Sequence, residues 1–198
     1  MARRSDHSRD ELATLVLDSA RKIIMEGGVE AVTMRKVGAM IGYAPGSIYN
    51  AVGDLDAVLR EVNAMTLRDL VIQLEETLAR YRTGTIDCAL MIAENYVDFV
   101  TRRPRLWAAL LARPPERGEA VPDSYAQPRA RLIEIVATAI GPLFPDGAAR
   151  QTAVVALWAA LQGVASLAIG GNYQFIAVEL SPKEIARSIV RRYLTGTD

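Results

Sequence analysis

Thr33, Arg35, Tyr43, Ser47, Tyr49 and Asn50 gather hydroxyl, guanidinium and amide groups into one short stretch of the chain. Groups of these types donate to phosphate oxygens and to base edges. Gly46 stands beside Ser47 and leaves its helix without bulk, as close approach to a groove requires. The other reactive residue types do not assemble into a catalytic set. His7 is the only histidine and lies in a polar leading segment, and Cys88 is the only cysteine and lies in an apolar stretch with no histidine beside it. No metal-ligand spacing, phosphate-cradling glycine loop or paired carboxylates stand out. The expectation is a protein that is not an enzyme and uses neither metal nor cofactor.

The elements that must hold the polar stretch are helices. Leu12, Leu15, Val16, Ala20, Ile23 and Ile24 make one apolar stripe and predict a first helix over about 10–26, ended by Gly27 and Gly28. Thr33 is a good N-cap for a short second helix whose Met34, Val37, Gly38 and Ile41 share a face. Gly42 permits a tight turn, and Pro45 opens a third helix with Ile48 and Val52 inward and Gly46, Ser47, Tyr49 and Asn50 outward. Asp54 can cap a long helix over about 55–81. Further helices are expected to about 103, over 105–112 and 128–140, over 148–169 with Asp146 as its cap, and from Ser181-Pro182-Lys183-Glu184 onward with Ile185, Ile189, Val190 and Tyr193 on the inner face, with a proline-rich loop over 113–128. The predicted fold class is all-α: an N-terminal three-helix helix-turn-helix domain over 1–53, and a C-terminal helical bundle over 54–198 that dimerises.

Charge does not announce nucleic acid. The chain has 23 basic and 23 acidic side chains. Residues 1–52 carry seven basic groups against six acidic ones, a balance of only +1. A DNA surface must therefore be local, with Arg3 and Arg4 as an arm that reaches a phosphate or the minor groove. The start of the chain, MARRSDHSRDEL, has no apolar signal region, and one cysteine allows no internal disulfide, so a cytoplasmic protein is expected.

The segment Thr33-Met34-Arg35-Lys36-Val37-Gly38, then Gly42, then Gly46-Ser47-Ile48-Tyr49-Asn50 and Gly53-Asp54-Leu55-Asp56, resembles the TetR/AcrR family of bacterial regulators. The resemblance implies a sequence-specific DNA-binding transcription regulator, most often a repressor, released from its operator by a small-molecule effector. It places Ser47 and Tyr49 on the recognition helix, Thr33 and Arg35 at helix-two positions that touch DNA, Gly46 where the helix approaches, and Tyr43 in the turn beside the backbone. Two positions depart from the family: Val52 stands where an aromatic is usual, and Leu55 where a lysine is usual. The C-terminal half resembles a branch with a Trp-x-x-x-His-Gly pattern, here Trp158 to Gln162-Gly163, with glutamine replacing the histidine.

Two partners are expected of the C-terminal part. Small residues Ala159, Gly163 and Ser166 on the penultimate helix, with Ile185 and Ile189 on the last, suit a homodimer interface. That symmetry would match a near-palindromic double-stranded operator. Met91, Tyr96, Phe99, Trp107, Leu110, Trp158 and Gln162 are expected to line a largely apolar effector pocket. Two other readings compete: a helical adaptor without DNA binding, and a membrane-associated protein through the apolar segment 151–171. Gln162 and Ser166 within that segment favour a buried dimer helix over a span, so no membrane partner is expected.

Overall fold

The structure is a computed structural model, and it describes residues 7–112, 121–171, 173–176 and 179–196, the side chains of 174 and 176 excepted. Arg3 and Arg4, expected as a DNA-reaching arm, lie outside the described residues. Among the described residues the chain is helical and contains no strand. In order come α1 (Arg9–Gly27), α2 (Met34–Ile41), α3 (Pro45–Val52), α4 (Leu55–Arg80), α5 (Ile86–Arg102), α6 (Pro104–Ala112), α7 (Asp123–Ile140), α8 (Gly147–Ile169), α9 (Tyr173–Ile176) and α10 (Pro182–Thr195). Short 3-10 turns occupy Val29–Ala31 and Gly141–Leu143.

The chain forms two compact units: residues 1–66 with 105–125, and residues 67–104 with 126–198. The expected boundary after residue 53 thus falls inside the first unit. Val58, Leu59 and Val62 from α4, and Leu106 and Ala109 from α6, are buried in the same apolar core as α1, α2 and α3. Three short helices alone offer too little apolar surface for a stable core, and these side chains complete it.

In the first unit, α1 starts on a capping box. The Ser8 hydroxyl accepts from the Glu11 N–H at 3.3 Å, and the Glu11 carboxylate accepts from the Ser8 N–H at 2.7 Å. At the other end, the Arg105 guanidinium donates to the Met25 and Glu26 carbonyls at 2.9 and 2.5 Å, satisfying groups that a helix end leaves open. Val16, Ile23, Ile24, Val37, Ile48, Val58 and Val62 are at most 1% exposed, so α1 to α3 are fixed by shared burial. Each such side chain contributes roughly 1.5–3 kcal/mol.

In the second unit, α5 packs against α8 and α10. Apolar contact is reinforced by ion pairs from α5 to α10: Asp98 with Lys183 at 2.5 Å, and Glu94 with Arg187. A polar clasp joins α5 to the second-unit part of α4. There Gln73 donates to the Asn95 carbonyl, and Asn95 donates to the Thr77 hydroxyl, both at 2.9 Å. The hydroxyl in turn donates to the Gln73 carbonyl, so buried Thr77 is fully satisfied. Asp146 and Ser181 cap α8 and α10 as their sequence positions suggest, and Ser181 completes its box with Glu184.

Two expectations about elements need correction. Helix α7 begins at Asp123, five residues before Pro128, so Pro128 lies within the helix and the 113–128 loop is shorter than expected. Pro128 is the sixth residue of the helix, past the first turn, and so costs one intrahelical N–H donor, while the Asp123 carboxylate suits the first turn. On α10 the buried residues are Ala186 and Val190, whereas Tyr193, expected on the inner face, is 41% exposed.

Candidate nucleic-acid interface and ligand cavity

The α2–turn–α3 segment is built around one close approach. Gly38 lies where a Cβ would meet the Tyr43 carbonyl oxygen at 2.6 Å, too near for any side chain. That carbonyl is fixed because the Tyr43 N–H donates back to the Gly38 carbonyl at 3.0 Å. Gly42 takes φ of +76°, the left-handed conformation that closes α2 and reverses the chain. Ile48 is fully buried and anchors α3 from beneath.

That anchoring sets the opposite face outward. Gly46, Ser47, Tyr49 and Asn50 are exposed on α3, and Thr33 and Arg35 are exposed at the start of α2, with Tyr43 half-buried in the turn. The Thr33 hydroxyl accepts from the Lys36 N–H at 3.1 Å as the α2 N-cap, which leaves its own proton to donate. Gly46 contrasts with Gly38: a Cβ there would meet nothing within 4 Å. Internal packing therefore gives no reason for a glycine at 46. Leu55, where the resemblance leads one to expect a cationic contact, packs against the core of this unit.

Sequence reasoning passed over His7 as a member of this surface. Its Nδ1 lies 2.7 Å from the Tyr43 hydroxyl, and the two rings sit 6.0 Å apart. A single exposed histidine just ahead of a helix carries no periodic signal, so only the fold brings it to the turn.

The second unit holds an apolar cavity of about 30 Å³ between faces of α5, α7, α8 and α10, with Leu74 of α4 also lining it. Tyr96 and Trp158 line it, with ring centroids 5.5 Å apart. The other walls come from Ala89, Ile92 and Ala93, from Val136, Ala139 and Ile140, and from Leu157, Leu161 and Val190. Those on α5 and α8 follow helical spacing from the two aromatics, whereas those on α7 and α10 share no helix with either and are brought in by the fold. Gln162 stands behind the wall: its amide oxygen accepts from the Tyr96 hydroxyl at 2.6 Å, and its amide nitrogen donates to Ser166 at 3.2 Å. Burial pushes the Tyr96 phenol above its ordinary range, so it stays a neutral donor. Met91 is half-buried and Phe99 buried beneath the Arg103 guanidinium, and neither lines the cavity. Trp107 and Leu110 belong to the first unit, where Trp107 is buried.

Of the proposed interface residues, Ala159, Gly163 and Ser166 are exposed on α8, and Ile185 and Ile189 are half-buried on α10. A Cβ on Gly163 would meet nothing within 4 Å. Helix α8 is the one helix among the described residues long and apolar enough to cross a membrane, and only 33% of its apolar window is buried. Val155, 59% exposed, and Leu167, 38% exposed, extend its open face.

A short helix, a glycine turn and a second helix with a polar outer face, braced by longer helices, define the class of helix-turn-helix regulators. Residues 16–62 match the family of bacterial regulatory proteins named for tetR, and residues 90–193 match the tetracyclin repressor-like C-terminal domain. The chain belongs to the TetR family. It is 28% identical over 110 residues to the HTH-type transcriptional regulator YobS of Bacillus subtilis, a match covering 55% of this chain and 56% of that protein. The chain thus spans little more than half the length of that relative. In fold it is similar to a protein of unknown function from Rhodococcus sp. RHA1, with TM-score 0.77, 16% identity and 98% of each chain covered. It is also similar to a TetR transcriptional regulator from the same source, with TM-score 0.67, 18% identity, and 94% and 96% covered. A third similar structure is the transcriptional regulator FadR from Bacillus subtilis in complex with stearoyl-CoA, with TM-score 0.66, 12% identity, and 93% and 99% covered.

Proposed function

We propose that the protein is a homodimeric, sequence-specific DNA-binding transcription regulator, a repressor that leaves its operator when a small apolar effector binds. The observation that carries this reading is the outer face of α2 and α3. Its groups suit phosphates and bases, and its Gly46 has no role inside the fold. In this arrangement Ser47 and Asn50 meet base edges, and Thr33, Arg35, Tyr43 and Tyr49 meet phosphates.

The uncovered apolar face of α8 supports a two-fold partner through Ala159, Gly163 and Ser166, with α10 beside it. Two recognition helices would then enter successive major grooves of a near-palindromic site. FadR from Bacillus subtilis was solved with an acyl-CoA. Here the cavity holds only about 30 Å³ and its wall offers no charged side chain, so a small, uncharged effector enters by parting the apolar walls beside the Tyr96–Gln162 pair. An effector that accepts the Tyr96 hydrogen bond frees the Gln162 oxygen, and through the Gln162–Ser166 bond bears on the open face of α8. The coupling to DNA cannot exceed the effector's differential affinity for the two states, typically about 1–3 kcal/mol.

The test is selection from random duplex DNA with the purified chain at moderate salt. An enriched inverted repeat supports a dimeric DNA reader. No enrichment, with ligand-free refolded protein failing as well, would remove DNA binding from the reading.

A further inference from the structure

We infer that His7 is a positioning residue for DNA contact, which sets the hydrogen-bond direction of the Tyr43 hydroxyl and ties operator affinity to pH. The inference rests on the DNA-binding reading above. His7 precedes the Ser8 cap of α1, and Tyr43 lies thirty-six residues on, in the turn between α2 and α3. The two side chains nevertheless share a 2.7 Å hydrogen bond and a tilted ring contact at 6.0 Å. The backbone of Tyr43 is held separately by Gly38, so the contact with His7 governs only the side chain.

The direction of this bond has two settings. A neutral imidazole with Nδ1 unprotonated accepts the phenolic proton, and Tyr43 then offers a phosphate only lone pairs, which repel it. With Nδ1 protonated, His7 donates to the phenolic oxygen, and the Tyr43 proton is released to donate to a phosphate oxygen. The imidazolium form guarantees the second setting and adds a positive charge near the DNA backbone. Imidazole is the side chain whose ordinary titration falls between pH 5 and 8. On α1, Glu11 feels His7 electrostatically and lies beside Arg9 and Asp10. Across the turn, α2 carries Arg35 and Lys36, and α3 carries no charge.

DNA binding favours His7 protonated at Nδ1, and so favours the imidazolium over the Nδ1-unprotonated neutral form, which makes affinity greatest at low pH and lower as pH rises through neutrality. The experiment measures dissociation constants for the selected operator from pH 6 to 8 at fixed salt, with the wild-type chain, His7→Gln and Tyr43→Phe. Thermal melts of each variant verify the fold. Wild-type affinity is expected to drop about tenfold per protomer across this range, the effect of a one-unit pKa difference between the bound and free states. His7→Gln should bind with a nearly flat profile, and Tyr43→Phe should bind weakly and lose most of the slope. A folded His7→Gln that keeps the wild-type slope overturns the inference and leaves the DNA-binding reading standing. Failure of the wild-type chain to bind any duplex overturns both.

Discussion

Each of the two units uses glycine in two opposite settings, and the contrast separates what folds the protein from what the protein presents. In the first unit Gly38 is demanded from within, because the Tyr43 carbonyl leaves no room for a Cβ. Eight residues on, Gly46 has open space above it. In the second unit the same division recurs. Gly84, at φ of +73°, would drive a Cβ to 2.4 Å from Pro142, whereas Gly163 meets nothing. Within each unit, then, one glycine is required by its own neighbours and another is not. Duplex DNA is the proposed occupant at Gly46, and a second copy of the chain at Gly163.

The largest effect that would break this division is at the core beneath the recognition face. Ile48→Ala should cost about 2–5 kcal/mol, as removal of a fully buried side chain does. Hydrogen exchange should show the loss in α1 to α3, with α5 and α8 protected much as before. Uniform loss of protection in both units would mean that they unfold as one, and that the comparison has no energetic content.

The glycines sharpen it next. Gly38→Ala forces the Tyr43 carbonyl away and should destabilise by about 1–3 kcal/mol, with DNA binding lost alongside. Gly46→Ala should hold or slightly raise the melting temperature, since alanine favours a helix by about 1 kcal/mol, while weakening operator affinity. Gly163→Arg should leave each unit folded and shift the chain from dimer to monomer in sedimentation. Equal DNA affinity for Gly46→Ala and wild type would remove the groove as the explanation of that residue.

The same contrast explains what could be read from sequence. Caps at Thr33, Asp54, Asp146 and Ser181 were legible because each acts over three residues of local chain, and the structure pairs them all. The α2–turn–α3 motif was legible for the same reason. The cavity was not, because its walls are assembled from residues as far apart as Leu74 and Val190. Periodicity marks such residues as inward without saying which inward residues leave a gap. Phe99 and Trp107 share the composition of a pocket and are ordinary packing. The Ser8 and Glu11 box was legible and passed over, since the apolar stripe draws the eye to a start at residue 10.

The Tyr96–Gln162 bond tests the second unit with a smaller effect. Tyr96→Phe removes one donor and leaves the Gln162 oxygen unpaired on its cavity side, a loss of about 0.5–1.5 kcal/mol. Because the phenol is neutral throughout the working range, the loss should not vary between pH 6 and 9. A melting difference that grows with pH would show the phenol titrating, and would contradict its burial.

Acid offers the smallest and most even-handed comparison, because each unit carries one capping box. Hydrogen bonds from the Ser8 N–H hold the Glu11 carboxyl below its usual range, and those from Ser181 do the same for Glu184. A depressed folded value means that the stabilising contribution is complete above the ordinary carboxylate pKa of 4.5 and is lost as pH falls through the lowered one. Amide exchange at residues 8–11 and 181–184 should therefore quicken together below that point, while the helix middles stay protected. Quickening at the α10 box alone would mean that His7, whose charge also favours ionised Glu11, holds the first box closed after the second has opened.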